Sequence, residues 1–282
     1  MQVERVCIVG LGLMGGSLAL ALRPFLAHLT IIDSNPETRT AAQELADVVT
    51  GDLAEGVKEA ELVILATPVR TILRLLTQLP TVRPDGCLVM DLGSTKAEIG
   101  RVMEALPGSF AAIGGHPMCG KETAGFAAAA ADLYRGQTFV LCENGRTTPQ
   151  LTAIAYEIIE TIGANPLLLP SQAHDNMVAA TSHLPYLVSA ALMQTAAAQN
   201  DDQLWQVSAS GFRSTTRLAG SDPQMLLDIL LTNGTAVLTQ IEAYQTQLDE
   251  IKRVLTNGDE QELADWLEKV KKSHNKYRSS GV

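Results

Sequence analysis

The sequence predicts an α/β domain with a mostly parallel sheet, followed by an all-α domain. Short apolar runs alternate with helical segments as far as residue 169, which is typical of parallel strands joined by crossover helices. Three glycines follow the first run. From Ser171 onward the chain has long Ala- and Leu-rich stretches with helical spacing and no convincing strand. We therefore expect the domains to span residues 1–169 and 170–282.

Apolar runs place the strands of the first domain. They cover residues 6–10, 29–33, 62–66, 88–91, 111–114, 138–142 and 166–169. A helix is expected over residues 151–162, and Pro170 marks the boundary between the domains.

The second domain is predicted to consist of helices only. The first should begin with Ser171 as its N-cap, run to about residue 199 and bend at Pro185, which lacks an N–H group. Further helices are expected over residues 201–209, 222–248 and 260–272. A small helical domain so rich in Ala and Leu is expected to bury part of its surface against a second copy. We therefore predict a homodimer through this half, with a compact monomeric bundle as the alternative.

The glycine motif predicts a dinucleotide site. Gly10 allows a tight turn, Gly12 lets a pyrophosphate approach the backbone, and Gly15 lets the following helix press against the strand. Leu11, Leu13 and Met14 lie between these glycines and are included in the predicted cofactor site. The N–H groups of the helix start should face the phosphates. A Rossmann-type dinucleotide-binding domain is favoured over a glycine-rich turn in a flavodoxin-like sheet.

Asp33 favours NAD over NADP. It ends the second apolar run, 21 residues after Gly12, where a carboxylate accepts hydrogen bonds from the adenosine ribose. A 2′-phosphate would meet like charge there. Ser34 and Arg39 could contact such a phosphate, but Arg39 is interpreted as a solvated helix residue.

Net charge and cysteine content argue against several classes of binding site. The net charge of −10 argues against general binding to nucleic acid or to anionic membranes. The four cysteines lack the spacing of metal or redox motifs, so no metal is expected, although Cys119 beside His116 could be a reactive thiol. No leader and no apolar stretch of roughly 20 residues is evident, which predicts a cytoplasmic protein.

Several polar residues follow the predicted strands, at the sheet edge where such folds bind ligands. Thr67 and Pro68 follow one run and could pass close to the nicotinamide ribose, and Ser94 follows the next. His116 lies between a glycine pair and a proline, so we expect it in a loop, where it could act as a general base.

The helical half adds a histidine and two arginines. His183 precedes the expected bend, with Asp175 eight residues earlier on the same helix face, and the alternative is a packed structural histidine. Arg213 and Arg217 lie in a turn rich in hydroxyl groups, and the planar guanidinium suits a carboxylate.

Together these motifs resemble the prephenate and arogenate dehydrogenases of tyrosine biosynthesis. They are the N-terminal fingerprint, Gly-Gly-His-Pro-Met at 114–118, Ser-His-Leu-Pro at 182–185, and Gly-Phe-Arg-Ser-Thr-Thr-Arg at 211–217 with Ser-Asp-Pro at 221–223. The resemblance implies an NAD-dependent oxidative decarboxylation of a small anionic cyclohexadienyl substrate. It does not distinguish prephenate from arogenate.

The resemblance also assigns roles to residues. It implies that His116 accepts the proton of the ring hydroxyl and that Ser94 supports this histidine and the nicotinamide. It implies that His183 and Arg217 bind substrate carboxylates and that Glu122 lies at the pocket entrance. Arg213 belongs to the same substrate site without a firm role.

Two other readings stay open at this point. A β-hydroxyacid dehydrogenase or imine reductase has a similar fingerprint, but such enzymes usually place a catalytic lysine in the second domain, and no lysine lies between Lys121 and Lys252. A non-catalytic NAD-sensing regulator would leave His116 and His183 unexplained.

Overall fold

The computed structural model describes residues 2–121 and 123–279, which form eight β-strands and thirteen α-helices. The strands are β1 Arg5–Val9, β2 His28–Ile32, β3 Val48–Thr50, β4 Leu62–Leu65, β5 Leu88–Asp91, β6 Ala111–Pro117, β7 Thr138–Cys142 and β8 Asn165–Leu168. The helices associated with the sheet are α1 Leu13–Leu22, α2 Pro36–Ala41, α3 Leu53–Val57, α4 Val69–Val82, α5 Ala97–Glu104 and α6 Pro149–Thr161. The helices that follow are α7 Ser171–Val178, α8 Leu184–Ala197, α9 Gln203–Val207, α10 Ser210–Thr215, α11 Pro223–Thr232, α12 Gly234–Asn257 and α13 Glu260–Ser279.

One sheet contains all eight of these strands, in the order β3-β2-β1-β4-β5-β6-β7-β8. Its pairs are parallel except β6 with β7, which are antiparallel. The first six positions are the order of a doubly wound dinucleotide-binding fold, so the predicted fold class is confirmed. The sequence analysis missed β3, a three-residue edge strand that is only partly buried and carries no extended apolar run.

The central strands are apolar throughout because both faces of the sheet are covered. In β1 the side chain of Ile8 packs into a cluster with Leu18 and Ile158, on the side of α1 and α6. Its neighbour Cys7 packs with Ile72 on the opposite side. Such two-sided burial favours continuous apolar strands over alternating ones, which explains why these runs could be located from sequence.

The first helix after the sheet is interrupted before Pro185. A π-helical turn, Ala179–His183, separates α7 from α8, and Pro185 occupies the second position of α8. A proline there removes one N–H and crowds the preceding turn, so the helix widens locally. The predicted N-cap is wrong: Pro170 occupies the cap position and Ser171 is the first residue of α7.

The single helix predicted over residues 222–248 is two helices. Asn233 separates α11 from α12, and its N–H still bonds to the carbonyl of Ile229. The Asn-Gly pair at 233–234 was the available signal for this break, because both residues favour helix ends. The break releases the Asn233 side chain for the site described below.

The described residues divide into two compact units, one up to Gly234 and one from Thr235. The last strand ends at Leu168 and the next helix begins at Ser171. The division after Gly234 does not coincide with the boundary predicted after residue 169. That boundary stays a prediction. In the second unit Arg253 bonds to Glu250 at 2.8 Å and to Glu262 at 2.7 Å, which links α12 to α13. None of the described helices has the length and apolarity needed to cross a membrane.

Candidate active site

Two positions of the fingerprint accept only glycine, because neighbouring backbone atoms lie too close for a side chain. Gly10 has φ +95°, and a Cβ there would lie 2.7 Å from Cγ2 of Thr67 and 2.9 Å from the Ala66 carbonyl. A Cβ at Gly15 would overlap the carbonyl oxygen of Gly10. Neither backbone can give way without moving β1 or α1, so only glycine fits at these positions.

Gly12 is different because the space beside it is open. It is the N-cap of α1, and an added Cβ would meet no atom within 4 Å. The open space faces the start of the helix, where unpaired N–H groups and the helix dipole favour an anion. This cradle fits a pyrophosphate, and a side chain at this position would fill it.

Asp33 ties the fingerprint to the end of β2. One of its carboxylate oxygens accepts a hydrogen bond from the N–H of Leu11 at 2.7 Å, and the other accepts from Asn35 at 2.8 Å. A carboxylate has about four acceptor positions, so further capacity remains for ribose hydroxyls. Arg39 is not merely solvated as expected: its guanidinium donates to the carbonyls of Asp33 and Ser34 at 2.8 and 2.9 Å.

The remaining cofactor candidates surround the same cradle. Leu11 is buried, Leu13 and Met14 are partly buried in the first turn of α1, and the Met14 carbonyl accepts a hydrogen bond from Tyr134 at 2.6 Å. Pro68 is the N-cap of α4. Among the described residues the Thr67 hydroxyl is a buried side-chain oxygen without a hydrogen-bond partner. A polar group of a bound dinucleotide would supply the missing partner, so these residues fit NAD.

His116 lies in a strand and not in a loop as expected. It belongs to β6, which continues past Gly114 because it pairs with β7, and His116 stands opposite Val140. Next to it, an added Cβ at Gly115 would lie 2.6 Å from the Asp91 carbonyl. The glycine pair therefore allows close strand packing, and the extended backbone fixes the direction of the histidine.

A buried ion pair that the sequence analysis did not identify lies beneath His116. Lys96 bonds to the Asp91 carboxylate, and both side chains are almost fully buried. Lys96 also donates to the carbonyl of Gly115 at 2.7 Å, and the N–H of Gly115 lies 3.3 Å from Asp91 Oδ1. The only sequence signal was a pair of opposite charges flanking Leu-Gly-Ser-Thr at the end of an apolar strand.

His174 is a second residue that the sequence analysis passed over. Its Nε2 lies 2.8 Å from Nδ1 of His116, and its Nδ1 lies 2.8 Å from Asp175 Oδ1. The Asp175 carboxylate also accepts hydrogen bonds from the N–H groups of Lys96 at 2.7 Å and Ala97 at 2.8 Å, at the start of α5. A carboxylate from α7 thus caps a helix of the sheet domain and orients the histidine chain.

His183 is buried at the end of the π-helical turn and joins the same network. The Asn233 amide nitrogen lies 3.3 Å from Nδ1 of His183 and donates to the Asp175 carbonyl at 2.8 Å. Because the bond to that carbonyl identifies the amide group as a donor, Nδ1 of His183 is the acceptor and its proton is on Nε2. Asn233 therefore links His183 to the backbone carbonyl of Asp175, across the π-helical turn that interrupts the single helix expected from the sequence.

Both site histidines are held neutral. Burial lowers the pKa of His116 well below its ordinary value of 6.5, and it is lowered further because a positive imidazole would be repelled by Lys96 and by the protonated forms of His174 and His183. Burial also lowers the pKa of His183 to about 4, although the Asp175 carboxylate opposes this shift. A neutral imidazole accepts a hydrogen bond at one ring nitrogen and donates one at the other, and its unprotonated nitrogen can take up a proton.

The other predicted site residues are more exposed. Ser94 is half-buried between β5 and α5. Arg213 lies on α10, and Arg217 begins the 3₁₀ turn Arg217–Gly220, which is anchored where the Ala219 N–H donates to Ser189 of α8 at 3.0 Å. Both arginines are exposed. Glu122 lies outside the described residues.

Cys119 does not have the environment of a reactive thiol. It is partly buried, and burial raises its pKa from 9.0 to about 11. The thiol therefore stays protonated at neutral pH, when it is a weak nucleophile. Of the three cysteines that the sequence suggests are small apolar strand residues, Cys7 and Cys142 are buried in β1 and β7, whereas Cys87 precedes β5 and is only partly buried.

The dinucleotide cradle and the neutral imidazole of His116 thus both lie toward the carboxyl ends of parallel strands of one sheet. Residues 18–168 match the family model of the prephenate dehydrogenase nucleotide-binding domain, and residues 170–269 match that of the prephenate dehydrogenase dimerization domain. The chain belongs to the prephenate dehydrogenase family. The expected family and the expected NAD-dependent oxidoreductase are therefore confirmed.

Individual relatives agree with this assignment over nearly the whole chain. Prephenate dehydrogenase of Lactococcus lactis subsp. cremoris is 31% identical over 96% of this chain and 76% of its own length. The crystal structure of A. aeolicus prephenate dehydrogenase, in complex with hydroxyphenyl propionate and NAD⁺, is 30% identical, covers 98% of this chain and 99% of its own, and superposes with a TM-score of 0.92. Arogenate dehydrogenase of Synechocystis is also 30% identical, covering 97% and 100%, with a TM-score of 0.82.

Proposed function

We propose that this chain catalyses the NAD-dependent oxidative decarboxylation of prephenate or arogenate with His116 as the base. The supporting observation is the neutral imidazole of His116, whose Nδ1 is engaged by His174 and whose other ring nitrogen, without a hydrogen-bond partner among the described residues, can accept from a substrate hydroxyl. Membership in the prephenate dehydrogenase family makes the chain an NAD-dependent enzyme of this reaction class. The proposal concerns which residues perform it.

The reaction needs a base close to the ring hydroxyl. NAD, when bound, accepts the hydride of the ring carbon that carries this hydroxyl. His116 accepts the hydroxyl proton at Nε2 as that carbon gains ketone character, and the ring carboxylate leaves as carbon dioxide. The electron pair of the broken carbon–carbon bond completes an aromatic ring, and the proton returns from His116 to the phenolic oxygen. No net proton is consumed.

Substrate binding is assigned to Arg217, His183, Arg213 and Glu122. Arg217 keeps its positive charge at any working pH and can bind a carboxylate through two parallel hydrogen bonds. Neutral His183 offers its Nε2–H, because Nδ1 is oriented by Asn233. Arg213 and Glu122 belong to the same proposed substrate site, and Ser94 is proposed to support His116 and the nicotinamide.

A homodimer through the helical half is part of this proposal. The second family model describes a dimerization domain. Exposed apolar side chains on the helices of this half are consistent with a partner surface. They include Leu192, Met225, Leu227, Leu231, Leu238, Leu248, Leu255, Leu267 and Val270. A cytoplasmic location stays a prediction.

The test is NADH formation by the purified protein with prephenate and, separately, with arogenate. Each acid is offered with NAD and with NADP. Turnover with at least one acid and NAD is expected, and the ratio of kcat/KM between the acids identifies the substrate. Absence of turnover with both acids, from folded protein that binds NAD, would overturn the proposal.

A further inference from the structure

His174 is a buried histidine with both ring nitrogens engaged. Only 1% of it is exposed, its Nε2 lies 2.8 Å from His116 Nδ1, and its Nδ1 lies 2.8 Å from Asp175 Oδ1. The two imidazole rings meet edge to face, with centroids 5.0 Å apart. A histidine placed only for packing would need one such partner, whereas this one joins the proposed base to a carboxylate.

The proton positions in this chain follow from its carboxylate end. Asp175 also accepts two N–H groups of α5, so it acts as a carboxylate that accepts from His174 Nδ1. The Nε2 atom of neutral His174 is then an acceptor, and His116 must donate to it from Nδ1. The lone pair of His116 Nε2 is consequently free to take a proton from a substrate hydroxyl.

The charges around the two rings differ in sign. Lys96 donates to the carbonyl of Gly115, next to His116, and its ammonium disfavours a positive imidazole there. His174 is hydrogen-bonded to the Asp175 carboxylate, which favours a positive imidazole. Asp91 is neutralised by Lys96, and His183 is uncharged at pH 7. A proton gained by the pair is therefore better placed on His174 than on His116.

We infer that His174 stores the proton that His116 removes from the substrate. As the O–H bond breaks, a new N–H bond forms at Nε2 of His116, and the Nδ1 proton of His116 passes to Nε2 of His174. The positive charge then rests on His174 beside Asp175. After carbon dioxide leaves, both transfers reverse and the phenolic oxygen regains its proton. This inference rests on the proposed function, since it needs a proton removed at His116.

The variant His174→Gln tests whether His174 takes up a proton or only orients His116. The glutamine amide can donate to Asp175 and accept from His116, so it preserves the tautomer of His116, but it cannot take up a proton. We expect kcat to fall about tenfold or more, within the range of general acid–base effects, while the KM values stay within about twofold of the wild-type values. His28→Gln, at the amino end of β2 and four strands away from β6 in the sheet, is the matched control.

The pH profile adds a readout that an orienting role would not change. In the wild type, uptake of a proton by His174 reverses the hydrogen bond to His116 and blocks its Nε2. Without that acceptor, protonation must occur on His116 itself, so the acid limb of kcat/KM should move down by about one pH unit in His174→Gln. A kcat within threefold of wild type, or an unmoved acid limb, would overturn the inference.

A measurement on the unmodified enzyme keeps the test independent of variant folding. In the NAD complex without substrate, ¹⁵N chemical shifts of the histidine rings should show His174 protonating before His116 as the pH falls. Protonation of His116 first would overturn the inference. Because this readout needs no turnover, it remains decisive even if neither acid is a substrate, which would instead overturn the proposed function.

Discussion

Asp91 and Lys96 form a buried ion pair that holds Gly115 from both sides, one charge facing its N–H and the other its carbonyl. The residue that follows Gly115 is His116, so the pair fixes the backbone directly before the proposed base. Gly93 adds a third bond, from its N–H to Asp91 at 2.7 Å. The ionised side chains are thus satisfied within the protein, as burial requires.

Replacing Lys96 by Met should lower the stability of the folded protein. The change leaves the Asp91 carboxylate buried without its cation, a situation that typically lowers the free energy of unfolding by about 3–5 kcal/mol. Urea denaturation measures this loss, and Lys58→Met at an exposed position of the same domain is the control. A loss below about 1 kcal/mol would mean that the pair is not what holds Gly115.

His116→Asn should separate binding from chemistry. Removal of the base should lower kcat about 10²- to 10⁴-fold, while the Kd for NAD stays unchanged because the fingerprint is untouched. Steady-state kinetics and NAD titration provide the two measurements. Near-normal turnover in this variant would exclude His116 as the base.

Two glycine substitutions should affect different properties: one should weaken NAD binding, and the other should destabilise the fold. Gly12→Ala places a methyl group in open space, so stability should change by less than about 1 kcal/mol, while NAD affinity falls at least about tenfold. Gly15→Ala overlaps the Gly10 carbonyl and should destabilise the fold itself. Thermal unfolding and NAD titration distinguish them, with Gly108→Ala in an exposed turn as control. Unchanged NAD affinity in Gly12→Ala would place the pyrophosphate elsewhere.

Stability should fall as the pH drops below 6.5. The pKa values of His116 and His183 are lowered in the folded state, the latter to about 4, against 6.5 for an unfolded chain. Between these values the unfolded chain binds more protons, so unfolding becomes easier by up to about 1.4 kcal/mol per pH unit and per histidine. Urea titrations from pH 7 to 5 measure the slope, which should be smaller in His183→Gln. An equal slope in that variant would contradict the assignment.

Arg217→Ala should act on substrate binding. Loss of a charged hydrogen-bonding group to a carboxylate corresponds to about 1.5–3 kcal/mol, or a KM for the acid raised roughly 10- to 100-fold. Steady-state kinetics at saturating NAD measure the change. Arg101→Ala, an exposed arginine of α5, is the control. An unchanged KM would refute carboxylate binding at Arg217.

Local pattern was enough for much of the fold. The glycine fingerprint and the buried strands could be predicted because tight turns admit only glycine and because two-sided burial makes a strand apolar throughout. Edge strand β3 has neither a glycine motif nor a continuous apolar run, and it was not predicted. His116 was placed in a loop, since nothing within residues 111–117 shows that β7 pairs with it and extends the strand.

The hydrogen-bond partners of His116 could not be predicted for a different reason. His174 lies 58 residues from His116, and Asn233 lies 58 residues from Asp175 and 50 from His183. Each is a polar residue in an otherwise ordinary helical stretch, and its importance depends on which distant groups share its hydrogen bonds.

The sequence by itself determined the α/β fold class, the glycine fingerprint and the family, because these depend on backbone constraints and motifs that are local in the chain. Only the tertiary structure decided that Lys96 pairs with Asp91 and that Asp175, His174 and His116 form one chain. Packing α7 against the start of α5 brings these groups together out of water, where an unpaired charge or polar atom is costly. Their arrangement, and with it the protonation state of His116, is a property of the folded interior.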